Sequence, residues 1–207
     1  MLKFYYSTGT CSTAVSIALE EAKIPFEGVE VSWRRNVNVA ELEKVSSLGQ
    51  VPVLVDEGRA LTQTHAILEY LGDRHGLMPK TGTWERALAT RWMAFATGDL
   101  QKSYSPLFAP QRLTANESLH AEIKATALTN VEKLIGYIEA NLGSSDYLTG
   151  SQFTVADAHL FTITGWSRMG GVKFAKYPKL YAYMKRVYDR PAVQKVLKAE
   201  DLLDYVT

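Results

Sequence analysis

Residues 2–31 read LKFYYSTGTCSTAVSIALEEAKIPFEGVEV, and the period of their hydrophobic pattern changes twice. Leu2 to Tyr6 is short and rich in aromatic residues, as is typical of a β-strand. Apolar residues then recur at helical spacing, which predicts a helix over residues 12–22. Pro25 interrupts that helix, and residues 26–31 alternate towards a second strand. The stretch therefore predicts a strand–helix–strand unit, with its chemistry near the C-terminal end of the first strand.

The next segments extend this unit into a small α/β domain. We expect, in chain order, a short polar helix or an irregular loop at 40–45, a strand at 51–55, a turn at 56–59, a strand at 60–62 and a helix through Ile67, Leu68, Tyr70 and Leu71. That helix should end near Gly76, because glycine suits the left-handed conformation that follows many helices.

From Trp84 onward the strand patterns disappear and helical patterns replace them. Helical periodicity recurs in five segments, at 88–100, 123–142, 154–169, 178–189 and 191–199. The preceding segment MPKTGT, residues 78–83, is rich in helix and strand breakers and predicts a linker. The sequence thus predicts an α/β domain over residues 1–77 and an all-helical domain over residues 84–207.

The composition excludes several classes of protein. A formal net charge of +1 gives no electrostatic reason to expect nucleic acid or an anionic membrane as a partner. No apolar run approaches the roughly 18–20 residues that span a bilayer, and the N-terminus lacks the apolar stretch and cleavage site of a signal peptide. A single cysteine forms no intrachain disulfide. We therefore expect a cytoplasmic protein.

That cysteine, Cys11, lies in the turn between the first strand and the first helix. Free N–H groups and the helix dipole at such a turn stabilise an anion, including a thiolate. Thr10 and Ser12 add hydroxyl donors beside it. The alternative, which the local sequence favours, is that Cys11 packs as a small apolar residue and Ser12 is only an N-cap.

Two further motifs have both a binding and a structural interpretation, and a third has a structural one only. Val51-Pro52 suits a ligand-binding backbone if its peptide bond is cis, whereas a trans proline at the start of a strand is the more frequent case. Gln63-Thr64 opens a helix, where it would bind a carboxylate and an amine or simply cap the helix. Thr154-Val155-Ala156-Asp157 predicts a capping box before a core helix, a role in folding rather than chemistry.

In this order and spacing, the four motifs resemble those of the cytosolic glutathione transferases. YYSTGTCS at residues 5–12, together with KSYSPLF at residues 102–108, is most similar to the bacterial beta class. The resemblance implies a thioredoxin-like domain followed by an all-helical domain, and a homodimer. It further implies a detoxifying enzyme with glutathione as co-substrate, no metal, and a small hydrophobic electrophile as acceptor.

The resemblance also implies three sets of site residues. The catalytic groups would be Tyr6, Thr10, Cys11 and Ser12. Glutathione would bind to Gln50, Val51, a cis Pro52, Gln63, Thr64, Gln101, Lys102 and, at its glycyl carboxylate, Arg34 or Arg35. The apolar wall for the acceptor would be Tyr104, Phe108 and Trp166.

Two residues depart from the family's pattern. Thr64 replaces the commoner serine but keeps its hydroxyl, and the histidine that precedes the lysine of the second motif in the beta class is absent. Here that position is Gln101, which donates a hydrogen bond but exchanges no proton near neutral pH. Three functions therefore stay open. They are conjugation of glutathione to electrophiles, monothiol disulfide exchange through Cys11, and non-catalytic binding of glutathione or apolar ligands.

Overall fold

The computed structural model describes residues 1–206, and its N-terminal part is built on one four-stranded sheet. The strands are β1 (Leu2–Tyr6), β2 (Phe26–Glu30), β3 (Val53–Asp56) and β4 (Arg59–Thr62). Their order is β2-β1-β3-β4; β1 runs parallel to β2 and antiparallel to β3, and β4 is antiparallel to β3. This mixed sheet confirms the predicted thioredoxin-like domain.

Three helices accompany the sheet: α1 (Ser12–Glu21), α2 (Val39–Val45) and α3 (Thr64–His75). The segment 40–45, open in the sequence between a helix and a loop, is therefore helical. Gly76 follows α3 in the left-handed conformation, with φ of +70°, as predicted. Residues 12–19 of α1 are all buried because the helix packs against α3 on one side and against the second domain on the other.

The second domain is entirely helical over its described residues, which confirms the predicted class. Its helices are α4 (Trp84–Phe95), α5 (Gln101–Phe108), α6 (His120–Asn141), α7 (Val155–Gly165), α8 (Pro178–Tyr188) and α9 (Pro191–Ala199). Every residue of α7 is buried, since this helix packs against α1, α3, α4 and α8. Thr207, which the sequence assigns to this domain, lies outside the described residues.

The predicted capping box is present at the start of α7. Thr154 and Asp157 exchange the reciprocal bonds of the motif, and the Thr154 N–H donates to Asp157 Oδ2 at 2.8 Å. The carboxylate also accepts from the Leu148 N–H and from the Tyr183 hydroxyl. Burial nevertheless raises the pKa of Asp157 to about 6. Its role in folding is thus the predicted one.

Two of the differences between the predicted and observed boundaries have a local physical cause. The third strand begins at Val53 rather than Val51, because Pro52 has no N–H to donate and Val51 faces a cavity instead of β1. The helix predicted over 88–100 changes at Ala96–Leu100 into a π-helical segment. Thr97 bonds back to the Met93 carbonyl there, and Gly98 lowers helix propensity.

Candidate active site

Two adjoining cavities meet at Cys11 in the cleft between the domains. The larger has a volume of about 680 Å³ and the smaller about 80 Å³. They share part of their lining, namely Cys11, Leu48, Gln50, Val51 and Gln101. The cysteine singled out by the sequence therefore lies where a polar recess opens into a wider space.

The turn before α1 is held by its own hydroxyl groups. Gly9 has a φ of +68°, a conformation that glycine adopts without steric cost. Thr10 Oγ1 lies 2.7 Å from the Ser7 carbonyl oxygen and 2.9 Å from Ser12 Oγ. Ser12 is fully buried and lines neither cavity, whereas Thr10 lines the larger one. The structure therefore uses the Ser12 hydroxyl inside the turn rather than towards a ligand.

A carboxylate from the far end of the chain anchors the same turn. Glu200, just after α9, accepts from the Gly9 N–H at 3.1 Å and from the Thr13 hydroxyl at 2.6 Å. It is 7% exposed, and burial raises its pKa. Sequence reasoning missed Glu200, because no local pattern links two positions 191 residues apart.

The Cys11 side chain is 9% exposed and has polar neighbours. Its thiol lies 3.8 Å from the Val51 carbonyl oxygen, to which it donates. Burial raises the pKa of Cys11, while hydrogen bonds from the Thr64 hydroxyl and the Gln101 amide act in the opposite direction without cancelling it. The thiol is therefore protonated near neutral pH.

Polar groups at the start of α3 form part of the lining of the smaller cavity. Gln63 precedes the helix with a φ of 75°, which is unusual for a residue with a side chain, and Thr64 is the first residue of α3. No side chain caps this end, and residues 64–67 include no acidic residue. The Thr64 hydroxyl is thus turned towards Cys11 instead of capping the helix, and the first amides of α3 are suited to an anion.

The larger cavity has an aromatic wall with two layers. Phe108 and Trp166 line it together with Trp33 and Met169. Tyr104 is only 1% exposed and lies behind them, with its ring 5.5 Å from that of Phe108 and 5.7 Å from that of Trp166. The prediction that Tyr104 lines the acceptor site is corrected accordingly, since its hydroxyl bonds to Ser167 in the core and its ring supports the wall from behind.

Four more predicted residues line neither cavity: Tyr6, Arg34, Arg35 and Lys102. Tyr6 is on the same face of β1 as Phe4, on which its ring stacks at 5.6 Å. Both arginines lie in an exposed loop, where Arg35 pairs with Glu30. Lys102 is exposed because it is one helical step, about 100°, away from Gln101.

Of the predicted glutathione set, the structure brings together Gln50, Val51, Pro52, Gln63, Thr64 and Gln101 around the smaller cavity. The Val51–Pro52 peptide bond is cis, as the resemblance implies. The cavities have further lining residues that were not predicted, namely Gly9, Trp33, Ser46, Leu48, Gly49, Thr62, Thr97, Arg112 and Met169. Trp33 and Leu48 could have been identified from the sequence as candidate site residues, because they are large apolar residues in polar loops. Thr97 and Arg112 are part of no sequence pattern that indicates a site.

Within residues 1–206, no group of three or more His, Cys, Asp or Glu side chains is arranged to hold a metal ion. Across the same residues, no helix combines the length and the apolar character needed to cross a membrane.

Comparisons with known proteins converge on one family. The family models "Glutathione S-transferase, N-terminal domain" and "Glutathione S-transferase, C-terminal domain" match residues 8–74 and 100–191. Glutathione S-transferase GstA of Escherichia coli O157:H7 is 31% identical over 207 residues, or 97% of this chain and 100% of that protein. A bacterial beta class glutathione S-transferase of Sphingomonas chungbukensis has a TM-score of 0.85 at 35% identity, covering 97% of this chain and 99% of that one. A sphingomonad glutathione S-transferase complexed with glutathione has a TM-score of 0.83 at 34% identity, with 97% and 99% coverage.

Proposed function

Because this chain belongs to the glutathione S-transferase superfamily, we propose that it joins the sulfur of glutathione to small hydrophobic electrophiles. The observation that carries this proposal is the position of Cys11 at the junction of a polar cavity and an aromatic-walled one. A peptide in the first would present its sulfur to an acceptor in the second. A detoxifying role and a cytoplasmic location belong to the same proposal.

The smaller cavity has the chemistry that glutathione needs. The γ-glutamyl carboxylate would rest on the first amides of α3, next to Thr64, with Gln63 beside its ammonium group. The backbone of Val51 would pair with the cysteinyl residue, and Gln50 would contact the peptide further along. The sphingomonad relative is complexed with glutathione, which supports glutathione as the ligand. For the glycyl carboxylate, Arg34 has no side-chain partner within residues 1–206, and we propose it ahead of Arg35, which pairs with Glu30.

The protein's task is then to stabilise a thiolate without a neighbouring base. A thiol with a pKa of about 8.5 must fall to about 7 to be half ionised at neutral pH, which costs about 2 kcal/mol. Hydrogen bonds to a charged acceptor contribute about 1.5–3 kcal/mol each. The Thr64 hydroxyl and the Gln101 amide, which both bond to the Cys11 sulfur, are donors that a glutathione sulfur in the same place would use. Two such donors would supply about 3–6 kcal/mol, which is reduced by the same desolvation that raises the pKa of Cys11.

A second function is favoured by the isolated Cys11 itself. In monothiol exchange, the Cys11 thiolate would attack a glutathione mixed disulfide, form a Cys11–glutathione disulfide and release the other thiol. A second glutathione would then attack that bond, regenerating Cys11 and forming oxidised glutathione. The raised pKa of Cys11 argues against this route, because the buried thiol is a poor nucleophile at neutral pH.

Paired assays of the wild type and Cys11→Ser separate these functions. One assay follows conjugation of 1-chloro-2,4-dinitrobenzene, and the other follows reduction of a mixed disulfide of glutathione and 2-hydroxyethanethiol. Conjugation that survives in Cys11→Ser, with a lowered pKa of bound glutathione by ultraviolet titration, is the expected result. Loss of reduction alone would assign exchange to Cys11. Glutathione binding without either turnover would leave only a binding protein.

We also propose a homodimer, on the strength of the family resemblance. Sedimentation velocity over a range of concentrations tests it, and a monomer at all concentrations would contradict it.

A further inference from the structure

The larger cavity has one charged group on its wall. Its other lining side chains are aromatic, aliphatic or uncharged polar, and the exception is Arg112. The cavity volume of about 680 Å³ is within the ~300–1,000 Å³ range of small-molecule sites. An acceptor bound in the larger cavity would contact an aromatic surface and a single cation, the Arg112 guanidinium.

The Arg112 guanidinium has no ion pair or hydrogen bond with another group in residues 1–206. Most other arginines of the chain are paired; Arg86 binds Glu69 and Asp73, and Arg190 binds Glu21. Arg112 therefore keeps all its donors for a ligand, and a planar guanidinium suits the two oxygens of a carboxylate.

The backbone that carries Arg112 is fixed. It is the last residue of a 3₁₀ turn, Pro110–Arg112, that begins two residues after the end of α5. The Arg112 N–H donates to the Ala109 carbonyl at 3.1 Å, and the next N–H, of Leu113, donates to the Pro110 carbonyl at 2.9 Å. The turn therefore holds Arg112 at a constant place relative to Phe108, four residues earlier on the same wall.

We propose that Arg112 is a specificity-determining residue that selects aromatic electrophiles bearing a carboxylate. This inference rests on the proposed conjugation and names its acceptor class. The aromatic ring would lie against Phe108 and Trp166, with its reacting carbon towards Cys11 and Gln101 and its carboxylate towards Arg112. Because the side chain is exposed, the preference should be about two- to fivefold, the range of an exposed ion pair, and should fall with added salt.

The test uses two acceptors of closely similar shape that differ in charge, 4-chloro-3,5-dinitrobenzoate and its carboxamide. Each kcat/KM is divided by the rate of the uncatalysed reaction with glutathione, which removes the difference in ring reactivity. We expect the wild type to prefer the acid by about two- to fivefold, Arg112→Gln to lose that preference, and Arg59→Gln to keep it. Arg59 is a matched control because it is an exposed arginine at the β3–β4 turn that lines neither cavity.

A second measurement needs no turnover. The glutathione conjugates of the two acceptors are prepared chemically, and calorimetry measures the Kd of each. If neither acceptor is conjugated, the proposed function fails, and the ratio of the two Kd values still decides the role of Arg112. An acid-to-amide ratio unchanged by Arg112→Gln, in turnover or in Kd, overturns the inference. So does a rise in KM for glutathione with that ratio unchanged, which would assign Arg112 to the glycyl carboxylate.

Discussion

Glu200 joins the C-terminal segment to the turn that carries Cys11, and Glu200→Ala tests whether this contact holds the turn. The carboxylate accepts from the Gly9 N–H at 3.1 Å and from the Thr13 hydroxyl at 2.6 Å. Thr13 is fully buried, so no water replaces the lost acceptor without a local opening. The variant therefore leaves two donors unsatisfied beside the candidate site.

The expected loss follows from two opposing contributions. Two hydrogen bonds to a charged acceptor contribute about 3–6 kcal/mol together. Burial raises the pKa of Glu200 above its ordinary value of 4.5, so the ionised carboxylate carries a desolvation cost that offsets part of this gain. We expect Glu200→Ala to lower the free energy of unfolding by about 2–4 kcal/mol at neutral pH. Glu200→Gln, which keeps one acceptor oxygen and removes the charge, should stay within about 1 kcal/mol of the wild type.

The raised pKa also fixes the sign of the pH dependence. The native protein holds the Glu200 proton more tightly than the unfolded chain does. Protonation therefore stabilises the fold fully below the unfolded pKa of 4.5, and this contribution is lost as the pH rises through the native pKa. As the pH rises from 4.5 through the native pKa of Glu200, the wild type should therefore lose stability relative to Glu200→Gln.

Urea unfolding followed by tryptophan fluorescence measures these differences, with glutathione affinity measured in parallel. Thr13→Ala supplies the matched control, because in the double variant with Glu200→Ala the loss should be smaller than the sum of the two single losses. A loss below about 1 kcal/mol for Glu200→Ala, with an unchanged m-value, would show that the carboxylate does not hold the turn. Equal losses for the Ala and Gln variants would show that the charge itself is required.

Three other changes probe the core and the thiol. Asp157→Ala removes the acceptor of the α7 capping box from a fully buried position, so the free energy of unfolding in urea should fall by about 3–5 kcal/mol. A fall of less than about 1 kcal/mol would contradict the capping role. Because burial raises the pKa of Cys11, its alkylation by iodoacetamide should keep accelerating above about pH 9.5, where free cysteine, with a pKa of about 8.5, has levelled off. Thr64→Val should shift this profile further upward, and an unshifted profile would exclude the hydrogen bond. Gln101→His adds a cation below about pH 6.5, so the variant should be alkylated faster than the wild type in that acidic range, whereas equal rates there would place the ring away from the thiol.

Local patterns predicted those parts of the fold that local interactions form. The strand–helix–strand unit at residues 2–31 shows the hydrophobic periods of a strand and of a helix, and the capping box is complete within four residues. Predicting either of them therefore needs no knowledge of distant contacts. The π-helical segment at 96–100 was not predicted, although the apolar stripe steps by five residues from Phe95 to Leu100 instead of the three or four of an α-helix. The anchor at Glu200 was out of reach, since its two partners are in the other domain.

Tyr104 shows why a helical stripe does not identify which residues reach a ligand. Gln101, Tyr104 and Phe108 are spaced for one face of α5, and the family resemblance implies a ligand-facing role for all three. Yet Tyr104 is 1% exposed while Phe108 is 43% exposed, because the turn from Trp166 to Arg168 covers the middle of that face and bonds the Tyr104 hydroxyl to Ser167. The covering segment comes some sixty residues later in the chain, and nothing in α5 encodes where it will pack. The acceptor wall is therefore a product of tertiary packing: Tyr104 fixes the depth of the wall, and the groups in front of it, Phe108 and Trp166, set its surface.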